Sequence, residues 1–244
     1  MKIALLGYGK MGQEIEKMAI KRGHDISLIL DNIENWEERG HLLRECEIGI
    51  DFSTSDSVVD IIYRCFEANI PVVTGTTGWH DDQDRVFQEC QRQGKTLFYA
   101  TNFSIGVNIF FELNRFLSSQ MSRWHEYEIS IEETHHVHKQ DAPSGTAIVL
   151  ANDIIRNIER KEKWVKEISE NPEEIEIKSY RTENIPGTHI VRYESEIDSI
   201  EIIHTAKNRR GFALGALLAA EWVIGQKGVF FMKDMLQSQK ISDV

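Results

Sequence analysis

Ile3-Ala4-Leu5-Leu6-Gly7-Tyr8-Gly9-Lys10-Met11-Gly12 is the stretch whose reading decides the fold. The continuous apolar run from Ile3 to Leu6 reads as a strand covered on both faces. A G-x-G-x-x-G spacing follows it, and a helical pattern then runs through Gln13 to Arg22. The glycine spacing alone is a weak signal. Set between a strand and a helix, it reads as a dinucleotide-binding turn. Gly7 permits the tight turn, Gly9 lets a pyrophosphate approach the backbone, and Gly12 lets helix and strand pack closely. A glycine-rich turn without a ligand is the plainer alternative. A second strand, Ile26 to Leu30, ends at Asp31, about 20 residues after the last glycine, where a carboxylate can accept hydrogen bonds from adenosine ribose hydroxyls. A solvated loop acid or a helix cap would place an aspartate there too.

Strands and helices go on alternating. Ile48 to Phe52 reads as a strand, Val58 to Ala68 as a helix, Pro71 to Thr74 as a strand, Asp81 to Gln93 as a helix and Thr96 to Ala100 as a strand. That alternation predicts a doubly wound parallel sheet of the Rossmann kind, with ligands at the carboxyl ends of its strands. Gly75-Thr76-Thr77 and Ala100-Thr101-Asn102-Phe103 stand at two such ends, although taken alone they are ordinary turn chemistry.

After Ser104 the pattern changes. A helix from Gly106 to Gln120 is followed by period-two alternation around Tyr127, Ile129 and Ile131. Further strands read as Ile175 to Tyr180, His189 to Tyr193 and Ile200 to Thr205. Such strands, each with one polar face, predict an α+β domain whose open mixed sheet is covered by helices on one side. The charged run from Glu159 to Glu170 reads as a solvated helix end or loop.

Between these strands lies Glu133-Thr134-His135-His136-Val137-His138-Lys139-Gln140-Asp141-Ala142-Pro143-Ser144-Gly145-Thr146-Ala147. Ser144 is a natural N-cap, and Ala147, Ile148, Ala151, Ile154, Ile155 and Ile158 then recur at helical spacing. A helix start built from small residues offers unpaired N–H groups and partial positive charge, which suit a carboxylate or phosphate. The segment therefore supplies imidazoles that titrate near neutral pH, an ammonium and an anion cradle. The bland alternative is a surface loop with incidental histidines, yet imidazoles crowded beside a lysine repel unless some stay neutral or an anion joins them.

The chain has 244 residues, enough for two domains, and 28 Lys plus Arg against 39 Asp plus Glu give a net charge of −11. That balance argues against non-specific nucleic-acid or membrane binding, and an anionic ligand would need the local basic focus at His135 to Lys139. Cys46, Cys65 and Cys90 show no CxxC spacing and read as buried small residues of a reducing cytoplasm. The apolar run after Met1-Lys2 is broken at Gly7, too short for a signal-peptide core. Phe212 to Ile224 is too short to span a bilayer.

His135-His136-x-His138-Lys139-x-Asp141-Ala142-Pro143-Ser144-Gly145-Thr146-Ala147 resembles the signature of the dihydrodipicolinate reductase family, enzymes of the diaminopimelate and lysine route. Gly75-Thr76-Thr77-Gly78 and Ala100-Thr101-Asn102-Phe103-Ser104 resemble the family segments that line the nicotinamide. Ala206 to Ala216 is similar to the segment that returns the chain to the first domain. The resemblance covers nearly the whole chain. It implies a discontinuous nucleotide domain, residues 1–104 and 210–244, around a substrate-binding and tetramer-building domain, residues 105–209. It implies hydride transfer from a nicotinamide to a cyclic, doubly carboxylated imine. His135 is then the catalytic acid/base and Lys139 the proton donor that also attracts carboxylate, while His136, Ser144, Gly145 and Thr146 hold the substrate. Gly7, Tyr8, Gly9, Lys10, Met11, Gly12, Asp31, Gly75, Thr76, Thr77, Ala100, Thr101, Asn102 and Phe103 are expected to hold the cofactor.

Two positions depart from the family pattern. Glu183 stands where glycine is commoner, and Asn32 where dual-specificity members carry a basic residue. Asp31 beside a neutral Asn32 predicts that NADH is preferred and NADPH usable but weaker, with Lys10 softening the difference. No metal is expected, because His135, His136 and His138 point in different directions at a strand end and no second cluster completes a ligand set. A small-molecule dicarboxylate is the expected partner. Another two-domain amino-acid dehydrogenase or a non-catalytic nicotinamide sensor are the rival readings. The first has no reason to carry His-His-x-His-Lys before Ser-Gly-Thr, and the second lacks a partner-binding surface.

Overall fold

The computed structural model describes residues 1–166, 169–183 and 185–238 and divides into two compact units. One comprises residues 1–105 and 210–244, the other residues 106–209. In chain order the first unit opens with β1 (Lys2–Leu6), α1 (Lys10–Lys21), β2 (Asp25–Leu30) and α2 (Ile33–Arg39). A 3-10 turn (Gly40–Glu45) leads to β3 (Ile48–Asp51), α3 (Val58–Glu67), β4 (Val72–Thr74), α4 (His80–Arg92) and β5 (Thr96–Tyr99).

Then come α5 (Ile105–Met121), β6 (Glu128–His135), α6 (Gly145–Asn157), β7 (Lys163–Val165), β8 (Glu174–Arg181), β9 (Gly187–Glu194) and β10 (Ser199–Ala206). The chain finishes in the first unit with α7 (Arg210–Val223), β11 (Gly228–Phe230) and α8 (Met232–Gln237).

The first sheet has the order β11-β5-β4-β3-β1-β2, and every pairing in it is parallel. This is the doubly wound arrangement the alternation predicts. Ile3 to Leu6 are fully buried, because helices cover both faces of the strand. Ile3, Leu5, Ile50, Val73 and Phe98 meet α1 and α7 on one side, while Ala4, Leu6, Val72 and Leu97 meet α3 and α4 on the other. Each of the Ile, Leu, Val and Phe side chains among them contributes about 1.5–3 kcal/mol by leaving water. Cys46, Cys65 and Cys90 are buried free thiols.

Besides the 3-10 turn and α8, three elements lie outside the sequence reading. The helix α2 buries no residue, so it has no apolar stripe to betray it, though Asn32 caps it by accepting from the Asn35 N–H at 2.9 Å. The short β11 adds a sixth strand beside β5. In the other unit, Lys163–Val165 forms a strand within the run read as a solvated helix end or loop. As the outer strand of its sheet, β7 leaves Lys163 facing water, ion-paired to Glu174 at 3.0 Å.

The second sheet has the order β10-β9-β6-β8-β7, parallel from β6 through β8 to β7 and antiparallel at β9 and β10. Its register builds rows across the core face. Ile129 and Ile131 of β6, Ile175 and Ile177 of β8, and Val191 and Tyr193 of β9 pack with Leu150, Ala151 and Ile154 of α6. Toward the carboxyl end of β6 the same face turns polar. Glu133 pairs with Ser179 and His189, and His135 with Arg181, with Gly187 next in register beside it.

Candidate active site

In the first unit the site is built at the end of β1. Gly7 has φ +92, and a Cβ there would meet the Phe52 carbonyl oxygen at 2.6 Å. A Cβ on Gly12 would stand 2.5 Å from the Gly7 oxygen, so these two glycines are demanded by the fold itself. Gly9 differs: nothing lies within 4 Å of a Cβ built there. As N-cap of α1 it has no side chain to satisfy the first-turn N–H groups, which suits a pyrophosphate drawn to the helix N-terminus. The helix begins at Lys10 rather than Gln13, so Lys10, Met11 and Gly12 form its first turn. The Tyr8 N–H donates to Asp31 at 2.6 Å, tying the glycine turn to the end of β2.

A groove of about 590 Å³ opens here, lined by Gly7, Gly9, Asp31 and Asn32, and also by Trp36 and Arg64, which the sequence reading did not single out. Arg64 lies over the Trp36 ring at 5.0 Å and donates to Asp60 at 2.6 Å. Volume, anion-ready helix end and carboxylate fit the adenosine and pyrophosphate of a dinucleotide.

At the ends of β4 and β5, Gly75 packs so tightly on Phe52 that a Cβ would lie 2.2 Å from the ring. The Thr76 hydroxyl turns inward and donates to buried Asp51 at 2.8 Å, while Thr77 and Thr101 are exposed. Burial raises the Asp51 carboxyl, against the hydrogen bonds from Ser53, Thr74 and Thr76. Ala100 and Phe103 are buried, and Asn102 accepts the Ser104 N–H at 2.9 Å.

In the second unit, β6 delivers Glu133 and His135 to the polar end of the core face. Ser144 caps α6, its hydroxyl accepting from the Ala147 N–H at 3.3 Å. Gly145 opens the helix with nothing within 4 Å of a Cβ, and Thr146 follows it in the first turn. In the loop between, Lys139 pairs with Asp141 at 2.8 Å. Arg181 of β8 donates to the Lys139 and Asp141 carbonyls at 3.2 and 2.5 Å, pinning that loop to the sheet. Imidazole, ammonium and helix N-terminus thus gather around one sheet end, an arrangement for an anion that receives a proton.

Glu133 adjoins both the imidazole and the helix N-terminus and is 1 % exposed. It accepts the Ser144 N–H on both oxygens, at 3.0 and 3.1 Å, and the Ser179 hydroxyl at 2.8 Å. Burial would raise its carboxyl, but donors from His189, Ser144 and Ser179 outweigh this and hold it at about 2. Burial, then neighbouring His189, pulls the His135 imidazole down to about 4, against the opposing pull of Glu133. Glu133, His135 and His189 offer donor atoms within 4.8 Å of one another, a trio the sequence could not show, since only strand register brings His189 there. The carboxylate is already engaged by Ser144, Ser179 and Arg181, so the trio reads better as a carboxylate flanked by two imidazoles than as a ligand set. His136 and His138 leave it, with His138 exposed.

The N-terminal portion of the dihydrodipicolinate reductase family matches residues 1–103, and its C-terminal portion matches residues 106–236. The chain belongs to the dihydrodipicolinate reductase family. It is 48% identical over 237 residues to a 4-hydroxy-tetrahydrodipicolinate reductase of Christiangramia forsetii, covering 97% of this chain and 98% of that one. A reductase of the same description from Thermosipho africanus is 34% identical over 97% and 98% of the two chains. Among solved structures, a dipicolinate-bound dihydrodipicolinate reductase from Paenisporosarcina matches with a TM-score of 0.74 at 23% identity, over 95% of this chain and 97% of that one. That likeness speaks for the fold.

Against the reductase pattern, Glu183 sits exposed in the turn after β8 and is not among the residues of positive φ. The backbone there does not demand the glycine commoner in the family. Ser179, Arg181, Gly187 and His189 escaped the sequence reading because each is joined to His135 only across the sheet. Glu133, on the same strand as His135, escaped it because its partners Ser179 and His189 lie across the sheet.

The reductase site also predicts an acid weakness. His135 falls from 6.5 to about 4 on folding, and Glu133 from 4.5 to about 2. In both cases the unfolded chain binds protons first, so stability present above the unfolded values is lost as pH falls. The window opens near 6.5 for His135 and near 4.5 for Glu133. Melting temperature should therefore drop as pH is lowered from about 6.5 toward 4, and more gently in His135→Gln. An unchanged slope in that variant would contradict the assignment.

Proposed function

We infer that the chain reduces 4-hydroxy-tetrahydrodipicolinate to tetrahydrodipicolinate in diaminopimelate and lysine biosynthesis, with a reduced nicotinamide dinucleotide as donor. The observation that carries this reading is the buried Glu133 carboxylate beside His135, which accepts the N–H that opens α6, with the Lys139–Asp141 pair in the loop between them. Loss of water from the 4-hydroxy ring leaves a conjugated imine, which must gain a hydride and a proton to reach the product. The bound nicotinamide supplies the hydride. One substrate carboxylate sits at the first-turn N–H groups of Gly145 and Thr146, next to the Ser144 cap whose own N–H Glu133 holds, with His136 beside it. Lys139 exchanges Asp141 for the other carboxylate and delivers the proton to the ring carbon. His135, neutral in the free enzyme, orients the ring and exchanges protons as acid/base once the dianion is bound. Growth of a bacterium lacking this reduction step, restored without added diaminopimelate, supports the reading; failure by a well-expressed chain counts against it.

NADH is the preferred cofactor. Asp31 at the end of β2 would face a 2′-phosphate with like charge. Asn32 cannot offer a cation, and its side chain already caps α2. Arg64 is the cation of the groove, but Asp60 holds it. Asp31→Ala should bring NADPH binding up to or above that of NADH in a titration of both cofactors. Asn32→Arg should do the same but lose about 1 kcal/mol of helix capping. Wild-type binding of NADPH as tight as NADH would overturn the assignment.

The active form is a homotetramer built on the sheet of residues 106–209. α5 and α6 pack on one face, while Tyr180 and Ile203 stand 48% and 57% exposed on the other. Among the described residues no helix is long and apolar enough to cross a membrane. A cytoplasmic place without nucleic-acid partners suits the charge of −11.

A further inference from the structure

A polar row with a buried centre crosses one end of the second sheet's core face. Register sets Ser179 of β8, Glu133 of β6, His189 of β9 and His204 of β10 side by side. The next row carries Arg181, His135 and Gly187. Glu133 Oε2 faces His135 Nδ1 at 3.5 Å and His189 Nε2 at 3.6 Å. His189 Nε2 reaches the Ser144 hydroxyl at 3.1 Å. The His135 ring occupies the space that Gly187 leaves open, where an added Cβ would stand 3.0 Å from Nε2 and 3.1 Å from Cδ2.

We propose that Glu133, His189 and Gly187 are positioning residues for the reduction, holding the His135 imidazole in one tautomer and one orientation and tying it to the N-terminus of α6. The proposal rests on His135 meeting the substrate. Its Nδ1 is buried without a hydrogen-bond partner, and the Glu133 carboxylate stands 3.5 Å from it. At 3.5 Å the contact is longer than a hydrogen bond, so the carboxylate acts through its field. An ionised oxygen attracts an N–H and repels a lone pair, which places the ring proton on Nδ1 and leaves the Nε2 lone pair toward Gly187. The same oxygen draws the His189 Nε2–H. That proton also faces the Ser144 hydroxyl, whose own lone pair stays with the Ala147 N–H. One buried charge therefore sets both imidazoles and fastens the anion cradle through the Ser144 N–H. Gly187 completes the arrangement by leaving the ring room beside β9. The charged and titratable groups around His135 are Glu133 from its own strand, His189 from β9, Arg181 from β8 and Lys139 from the loop. Glu133 is the only anion among them.

The test combines 15N NMR of the histidine-labelled, substrate-free chain with steady-state kinetics. In the wild type, His135 should carry its proton on Nδ1. Glu133→Gln should shift it to a mixture or to Nε2–H and lower kcat about 10²-fold, with the KM for NADH unchanged. Losing the right tautomer costs about 10⁴ where a true hydrogen bond enforces it, and the longer contact here should be worth less. Gly187→Ala leaves Glu133 in place, so it keeps the tautomer but moves the ring. Its kcat should fall about tenfold, and its read-out stands even if Glu133→Gln fails to fold. The proposal is overturned by a wild-type Nε2–H tautomer, or by a Glu133→Gln chain that keeps its turnover. It is also overturned if Glu133→Gln melts earlier with the His135 tautomer unchanged, because the carboxylate is then only structural. A wild type that turns over no substrate would sink the reductase reading instead, while the NMR comparison still reports on positioning.

Discussion

His135→Gln and Lys139→Ala should each lower turnover by roughly 10²–10⁴-fold, the range a positioned proton donor or acceptor contributes. Nucleotide affinity should stay near the wild-type value in both, because the glycine turn and the groove around Asp31 belong to the first unit. The two losses should differ in kind. Lys139 is proposed to carry the charge that meets a substrate carboxylate, so Lys139→Ala should raise KM as well as lower kcat. His135 is buried and neutral in the free enzyme, so its replacement should appear mainly in kcat. Steady-state kinetics with both substrates varied separates the cases. Wild-type turnover in either variant would remove that residue from the mechanism.

Gly215→Ala should have the largest effect on stability. Gly215 lies in α7, whose Ala213, Ala216, Leu217 and Ala220 are all fully buried against the first sheet. A Cβ there would come within 1.8 Å of the Phe103 carbonyl oxygen and 2.8 Å of its carbon. Neither atom is the end of a flexible side chain, so helix or backbone must move. Overpacking of this kind costs about 1–3 kcal/mol, and a backbone collision belongs at or beyond the upper end. Phe103 follows the β5 end proposed to line the nicotinamide, so nucleotide affinity should fall along with melting temperature. Gly145→Ala is the control: nothing lies within 4 Å of its Cβ, and the melting temperature should barely change. A Gly215→Ala chain as stable as the wild type would mean that α7 packs differently.

The parallel sheet was legible because Ile3 to Leu6, Ile48 to Asp51 and Thr96 to Tyr99 are apolar runs, each bounded by turn or helix signals. Elements without such contrast were not. The helix α2 buries nothing, β11 has three half-buried residues, and β7 is a charged edge strand whose stability comes from its neighbour β8. At the candidate site the readable part is the part that is contiguous. Ser144 could be read as a cap because N-capping is a local rule, and the structure places it there. Glu133 stood within the same stretch but showed no reason for its presence until register set it against Ser179 and His189. Gly187 looks like an ordinary strand-edge glycine in sequence, and only the His135 ring opposite explains it.

The reductase account is tested most directly by one assay. The condensation product of pyruvate and aspartate semialdehyde is added to the wild-type chain and NADH, and oxidation of the reduced nicotinamide is followed. The account predicts oxidation that tracks substrate added and is inhibited competitively by pyridine-2,6-dicarboxylate. No oxidation by a folded chain that binds NADH would contradict it.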